Sequence, residues 1–151
     1  MQTTDNLRRD GVFLAIDLGR ARMGLAVSEV GTPLAMPHSV VERLGTRRDI
    51  AQLLPLCDRL KVQAFVVGLP MEQADEAGSA RLCRQFALAV AAAQTRPVWL
   101  VDEADTTTVA HAELRMLGMR ASKRRAQVDK FAAAVILQRF LDGAPAESVQ
   151  L

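Results

Sequence analysis

The sequence predicts an α/β fold, with a mixed five-stranded sheet and helices on both of its faces. Three short and almost wholly apolar runs, at residues 12–18, 64–70 and 97–101, predict buried strands. Amphipathic segments with helical spacing, at residues 46–60 and 80–93, separate these runs. This alternation is typical of parallel strands that are joined by helical crossovers.

The residues after the first apolar run predict an antiparallel meander of three strands. The run ends in Asp17, and Gly19 and Gly24 allow a tight reversal, so the segment up to Ser28 is expected to return beside the first strand. Residues 33–41 are expected to form a third strand, which its two prolines place at a sheet edge. The sheet therefore combines three antiparallel strands with two further strands that run parallel to the first.

The remaining helices are predicted from periodicity and from residues that begin or end helices. Pro55 lies within the first helix and predicts a kink or an early end. A cluster of Asp and Thr residues after the last apolar run predicts a third helix, which extends to about Gly118. A basic loop is expected over residues 119–126, and a final helix over residues 127–141.

Length and composition predict one globular domain in a chain of 151 residues. We expect this domain over residues 11–143, between tails at residues 1–10 and 144–151. No window approaches about 18 apolar residues and no secretory segment is evident, so we expect a cytoplasmic protein. Cys57 and Cys83 accompany no Cys or His cluster, which predicts reduced thiols and no zinc site.

Acidic residues follow two of the predicted parallel strands. Asp17 ends the first of these strands, and Asp102 and Glu103 follow the last. The carboxyl ends of parallel strands share one edge of a sheet, so these acids are expected to lie together there. Their mutual repulsion favours a bound cation or a shared proton, and carboxylate oxygens suit Mg²⁺ or Mn²⁺. Taken alone, Asp17 is equally consistent with a turn former.

The final predicted helix supplies a third carboxylate. Asp129 heads a stripe that continues through Ala133, Ile136 and Phe140 at helical spacing. Such an acid could serve only to stabilise the helix dipole, but those acids usually face solvent rather than continue a buried face. We therefore interpret Asp129 as a third candidate ligand, and three carboxylates can hold two metal ions for phosphodiester cleavage.

The distribution of charge, rather than the net charge of +2, indicates a polyanionic partner. Six Lys or Arg residues lie between Arg115 and Lys130, where Asp129 is the only acid. Basic loops are often only solvated surface, but adjacency to an acidic site favours nucleic-acid binding. Aromatic residues make up 4% of the chain, which favours recognition of backbone and shape over base stacking. The candidate nucleic-acid-binding residues are Arg20, Arg22, Arg120, Lys123, Arg124, Arg125 and Lys130.

Four motifs, in this order and spacing, resemble those of the YqgF/RuvX family, RNase H-like proteins described as candidate Holliday junction resolvases and implicated in maturing the 5′ end of 16S rRNA. Residues 16–27 resemble the family's opening DxGxxRxGvAv motif, and residues 66–70 its VVGLP strand. Residues 102–103 resemble the start of its DER[LW][ST]T motif, and residues 128–133 its vDxxAA helix. Together the motifs span about residues 13–141.

The resemblance implies an RNase H-like, RuvC-like fold and a metal-dependent nuclease that uses one or two Mg²⁺ or Mn²⁺ ions. It implies Asp17, Glu103 and Asp129 as catalytic metal ligands, with Asp102 as a further candidate. The chain departs from the family pattern at Ala21, at Ala104 and at residues 72–75, each of which replaces groups expected near phosphate; the three candidate ligands remain. These departures bear on substrate choice and on rate.

Three function classes follow from these observations. The leading hypothesis is a nuclease that acts on structured RNA or DNA, as a processing enzyme for the 5′ end of precursor 16S rRNA, as a Holliday junction resolvase, or as both. A non-catalytic RNA- or ribosome-binding module of the same fold is the first alternative. A sugar-kinase or actin-like ATPase is the second, since DLGxxxxG also resembles the phosphate-binding hairpin of that superfamily. Monomer and homodimer remain alternatives, as do DNA and RNA substrates and endonuclease and exonuclease action.

Overall fold

The computed structural model describes residues 11–70, 78–103 and 121–151, except for the side chains of residues 121–127. In chain order the described elements are β1 (Phe13–Leu18), β2 (Arg22–Ser28), β3 (Ala35–Glu42), α1 (Thr46–Leu60), β4 (Ala64–Leu69), α2 (Ser79–Ala93), β5 (Val98–Asp102), α3 (Ala121–Leu141) and β6 (Ala146–Ser148). The six strands form one sheet in the order β3-β2-β1-β4-β5-β6. The predicted α/β class is therefore confirmed.

The sheet is mixed in the way that the sequence predicts. β1 pairs antiparallel with β2, which pairs antiparallel with β3, while β4 lies parallel to both β1 and β5. β3 is an edge strand, and its Pro37 lies opposite Ala26, beside an irregularity in the register after Leu25. An edge position tolerates a proline because one side of the strand has no partner that needs its N–H group.

The prediction of five strands and of a tail at residues 144–151 was wrong, because the sheet has a sixth strand. β6 pairs antiparallel with β5, with Trp99 opposite Ser148 and Val101 opposite Ala146. The strand follows a turn at Gly143, whose φ is 99°. Three polar or small residues give no apolar alternation, so the strand depends on main-chain hydrogen bonds to an otherwise open edge.

Helices cover both faces of the sheet, as predicted, and each face has its own apolar core. Leu14 and Ile16 of β1 belong to the core on the side of α1 and α2. Phe13 and Ala15, whose side chains alternate with these, belong to the core under α3. Cys57 and Cys83 are buried and form no disulfide, as predicted for reduced thiols, and burial raises the pKa of the Cys57 thiol to about 11.

Two helix boundaries differ from those predicted. α1 continues past Pro55 to Leu60. Pro55 is exposed, so water can reach the carbonyl that lacks a helical partner. α3 begins at Ala121, so residues 121–126 are helical rather than a loop. Their Lys, Arg and Ala residues favour a helix. The third helix predicted up to Gly118 lies outside the described residues. No helix in the described ranges is long and apolar enough to cross a membrane.

Gly24 lies where α3 crosses β2, and it is not part of the turn that the sequence analysis assigned to it. The turn spans Gly19 to Arg22, with the Gly19 N–H donating to the Arg22 carbonyl at 2.8 Å. Gly24 pairs with Asp17 within the β1–β2 ladder. A Cβ atom at Gly24 would overlap the backbone carbonyl of Asp129. The missing side chain therefore allows the backbone of α3 to pack directly on β2.

We expect Gly24→Ala to destabilise the fold by about 1–3 kcal/mol, because the new methyl group meets backbone that cannot move alone. Gly68→Ala is the matched comparison, since a Cβ there would meet only side-chain atoms, those of Ile136 at 2.5 Å and Glu103 at 2.8 Å. Urea unfolding of both variants measures the difference. A loss of stability for Gly24→Ala that is no larger than that for Gly68→Ala would contradict this role.

Candidate active site

Asp17 and Glu103 meet at the carboxyl edge of the parallel strands, as the sequence predicts. Asp17 is the next-to-last residue of β1, and Glu103 directly follows β5, with β4 between the two strands. The Glu103 side chain reaches across β4 over Gly68, where any Cβ would lie 2.8 Å from the Glu103 Oε1 atom. The Glu103 N–H donates to the Leu69 carbonyl at 2.8 Å, which fixes the start of this crossing.

The two carboxyl groups are hydrogen-bonded to each other, and the pKa of each is raised. Burial is the largest cause of the rise in the pKa of Asp17 well above 3.8, followed by the charge of Glu103 and the hydrogen bond to it. Burial also raises the pKa of Glu103, while the hydrogen bond from Asp17 acts in the opposite direction. Two ionised carboxylates at this distance repel each other, so a shared proton or a bound cation stabilises the pair.

Asp129 lies on α3, close enough for its charge to contribute to the raised pKa of Asp17. Val128 beside it is buried, and Ala133, Ile136 and Phe140 of the predicted stripe are completely buried. The prediction that Asp129 heads a core-facing stripe is confirmed. Its carboxylate also pairs with Arg22, whose Nε atom lies 2.9 Å from the Asp129 Oδ2 atom.

The described residues contain no group of three His, Cys, Asp or Glu side chains already arranged to hold one metal ion. Asp17 and Glu103 form a pair, whereas Arg22 holds the third carboxylate. The donor set nevertheless fits Mg²⁺ or Mn²⁺, because it consists of carboxylate oxygens on rigid elements and because a cation would relieve the repulsion between them. Metal binding by all three residues would place the metal and Arg22 at the same carboxylate, that of Asp129.

Asp102, the further candidate ligand, is not brought to this pair. Side chains alternate along β5, so that Trp99 and Val101 pack under α3 while Leu100 belongs to the opposite core. Asp102 continues the Leu100 face and is exposed. The pleat of the strand therefore directs it away from Asp17 and Glu103.

The structure locates three of the seven basic residues that were predicted to bind nucleic acid. Arg20 is exposed in the turn after β1, and Lys130 is half-buried on α3. Arg22 is 36% exposed and pairs with Asp129, so it lies at the carboxylates rather than on open surface. Arg120 lies outside the described residues, as do the side chains of Lys123, Arg124 and Arg125.

Sequence analysis missed a buried ion pair that supports the turn beside Asp17. The Asp49 side chain is completely buried, and its Oδ2 atom lies 2.6 Å from the Arg43 Nε atom. The Leu44 N–H donates to the other carboxylate oxygen at 2.8 Å. Arg43 Nη1 donates to the Gly19 carbonyl at 2.8 Å, which ties the turn to the start of α1. An acid in the first turn of a helix normally indicates a dipole contact, so the sequence carries no signal of this burial.

We expect Arg22→Gln to tighten Mn²⁺ binding about two- to fivefold, because an ion pair of this exposure is worth about 0.2–1 kcal/mol and competes with the metal for Asp129. Calorimetric titration with Mn²⁺ measures the change. Arg84→Gln is the control, since it removes a charge from an ion pair with Glu147 on another part of the surface. Equal changes in the two variants would show that Arg22 does not compete with the metal.

Comparison with known proteins shows which family this chain resembles. Residues 11–143 match the model of the family described as RuvX: Holliday junction resolvase. A Chloroflexus aurantiacus protein named as a candidate pre-16S rRNA nuclease is 37% identical over 134 residues, which cover 88% of each chain. A protein of the same name from Anaeromyxobacter sp. is 42% identical over 132 residues, covering 87% of this chain and 96% of the relative.

Solved structures show the same fold at lower sequence identity. Thermus thermophilus RuvC in complex with a Holliday junction substrate superposes with a TM-score of 0.57 at 19% identity, over 90% of this chain and 99% of RuvC. A further T. thermophilus RuvC structure gives a TM-score of 0.56 at 20% identity, over 91% of this chain and 99% of the other. The predicted RuvC-like, RNase H-like class of the fold is therefore confirmed.

Proposed function

The chain belongs to the RuvX family of Holliday junction resolvases, and on that premise we propose that it is a divalent-metal-dependent nuclease that hydrolyses phosphodiester bonds in structured nucleic acid. The observation that carries the proposal is the partly buried, hydrogen-bonded pair of Asp17 and Glu103, with Asp129 in electrostatic range. A protein that only binds RNA has no need of such a pair of acids, because acids repel phosphate and their partial burial costs stability.

Asp17, Glu103 and Asp129 are the residues proposed to hold Mg²⁺ or Mn²⁺. The metal would supply positive charge that lowers the pKa of water and stabilises the phosphate in the transition state. In the hydrolysis a water oxygen bonds to phosphorus, the bond from phosphorus to the departing sugar oxygen breaks, and that oxygen takes up a proton. When they hold the metal, Asp17 and Glu103 would both be ionised, and any proton between them would pass to solvent water. Arg22, which lies at Asp129, would face the phosphate.

Precursor 16S rRNA is the substrate that we propose first. The support is that relatives 37–42% identical to this chain are named as candidate pre-16S rRNA nucleases. A four-way DNA junction is the second candidate, from the family description. Symmetric cleavage of a junction needs two active sites, so a native mass measurement with and without a junction tests that alternative and separates monomer from homodimer.

The experiment is a cleavage assay on an end-labelled fragment that carries the 5′ end of precursor 16S rRNA and on a four-way DNA junction. We expect cleavage of the RNA with Mn²⁺ or Mg²⁺, and none with EDTA. The pattern of labelled products separates endonuclease from exonuclease action. Binding that depends on salt but is never followed by cleavage would instead support a non-catalytic RNA- or ribosome-binding module.

A further inference from the structure

A cleft of about 610 Å³ opens on the face of the sheet opposite the carboxylates. It lies between the β1–β2 turn and the first turns of α1 and α2, and Leu18 forms part of its wall. Side chains alternate along β1, so Leu18 faces this cleft while Asp17 faces α3. The cleft has the volume of a typical small-molecule site, which is about 300–1,000 Å³.

The charged groups of the cleft favour an anion. Among the residues that the structure describes, ten line the cleft, of which two are arginines and none is acidic. Arg20 is exposed, and no described residue accepts a hydrogen bond or forms an ion pair with it. Arg43 is held in place by Asp49 and by the Gly19 carbonyl, which leave its Nη2 group without an acceptor among the described residues. Because Asp49 offsets the charge of Arg43, Arg20 supplies most of the attraction for an anion.

The start of α1 adds to this positive character. Thr46, the first residue of α1, lines the cleft. It is preceded by Gly45, which provides no side-chain cap. The dipole of α1 therefore favours an anion in the cleft.

An apolar surface lies next to these polar groups. Leu82 is 46% exposed at the cleft, and the planar Arg43 guanidinium beside it covers the buried Phe86, 5.6 Å from the centroid of that ring. A flat aromatic group can pack against such a wall, whereas a phosphate alone gains no binding energy from apolar contacts. The combination matches the two parts of a nucleotide.

We propose that this cleft binds an unpaired nucleotide of the substrate strand, with its phosphate at Arg20 and the start of α1 and its base against Leu82 and the Arg43 guanidinium that covers Phe86. The proposal rests on the nuclease function proposed above. A nucleotide within the strand fits better than a free nucleotide, because Gly19 and Arg20 of the cleft directly follow Leu18 and Asp17. A strand that passes over this turn has one phosphate at the carboxylates and a neighbouring nucleotide in the cleft.

The test compares Leu82→Glu with Leu88→Glu by fluorescence anisotropy of a labelled single-stranded RNA in EDTA. Both leucines are exposed on α2, at 46% and 43%, and both changes add one negative charge, but only Leu82 lines the cleft. We expect Leu82→Glu to weaken binding about tenfold and Leu88→Glu to change it less than about twofold. The two variants are expected to bind fully double-stranded RNA with equal affinity.

Each outcome supports or overturns the proposal. Equal affinities of the two variants for single-stranded RNA would overturn it, as would displacement of the RNA by an equal concentration of free AMP, which would identify a mononucleotide site. The proposed function is judged separately by Asp17→Asn, which leaves the cleft unchanged. If Asp17→Asn loses cleavage but the two Leu variants bind RNA equally, only the proposed role of the cleft is contradicted. If Asp17→Asn cleaves normally but the two Leu variants differ in RNA binding, only the catalytic assignment is contradicted.

Discussion

Asp17→Asn is expected to lower the rate of phosphodiester cleavage by a factor on the order of 10²–10³, the range found when one preorganised electrostatic group is removed. Asn has nearly the same shape as Asp, but its amide is a weak ligand for Mg²⁺ or Mn²⁺ and carries no negative charge. The pKa of Asp17 is also raised by the charges of both other candidate ligands, Glu103 and Asp129. The measurement is single-turnover cleavage of labelled RNA at saturating Mn²⁺.

The free energy of unfolding of Asp17→Asn, measured without metal, is the control that shows whether this variant is folded. A carboxyl group whose pKa is raised by folding stabilises the folded state below its unfolded pKa, near pH 4, and this contribution is lost as the pH rises through the folded pKa. The wild type therefore loses stability over that range in EDTA, and Asp17→Asn is expected to lose less because Glu103 no longer faces a second carboxylate. Undiminished cleavage by a folded Asp17→Asn protein would refute the catalytic role.

Asp49→Ala is expected to destabilise the fold by about 3–5 kcal/mol, because it leaves one partner of a buried ion pair without its counter-charge. The Asp49 side chain is completely buried, and that of Arg43 is 18% exposed. The substitution also removes the acceptor of the Leu44 N–H group. Chemical unfolding in urea gives the free-energy difference.

Asp58→Ala is the matched control for this prediction, since Asp58 also lies on α1 and also pairs with an arginine. Its carboxylate lies 2.6 Å from the Arg96 Nη2 atom, but the Asp58 side chain is 74% exposed. An exposed pair contributes about 0–1 kcal/mol, so this variant should remain close to the wild type in stability. Similar losses of stability in the two variants would show that burial does not determine how much the Asp49 ion pair contributes to stability.

Most of the sheet could be predicted from the sequence because the signals are local. The apolar runs of β1, β4 and β5 indicate buried strands, and Pro37 in β3 indicates an edge strand, each within a few residues. β6 could not be predicted in this way, since its three residues pair through main-chain groups that any sequence possesses. Pro55 was misleading for a related reason, because its effect depends on whether water reaches the free carbonyl, which is a property of the folded surface.

The proximity of Asp17 and Glu103 could be predicted from the topology, since both lie at the carboxyl ends of parallel strands of one sheet. The assignment of Asp102 did not take into account that side chains alternate along β5. This alternation places Asp102 and Glu103 on opposite faces of the sheet. The pairing of Arg22 with Asp129 depends on how closely α3 approaches β2, and Gly24 was the one signal of that approach. In the sequence this glycine is indistinguishable from a turn former.

The most direct measurement of the central claim is a crystal structure grown with Mn²⁺, in which anomalous scattering locates the metal. We expect the peak between the carboxylates of Asp17 and Glu103, with Asp129 turned from Arg22 toward the metal. Soaking crystals of Asp17→Asn under the same conditions should weaken or abolish this peak. A protein that cleaves RNA with Mn²⁺ but has its metal bound elsewhere, with Asp17 and Glu103 still hydrogen-bonded to each other, would contradict the claim.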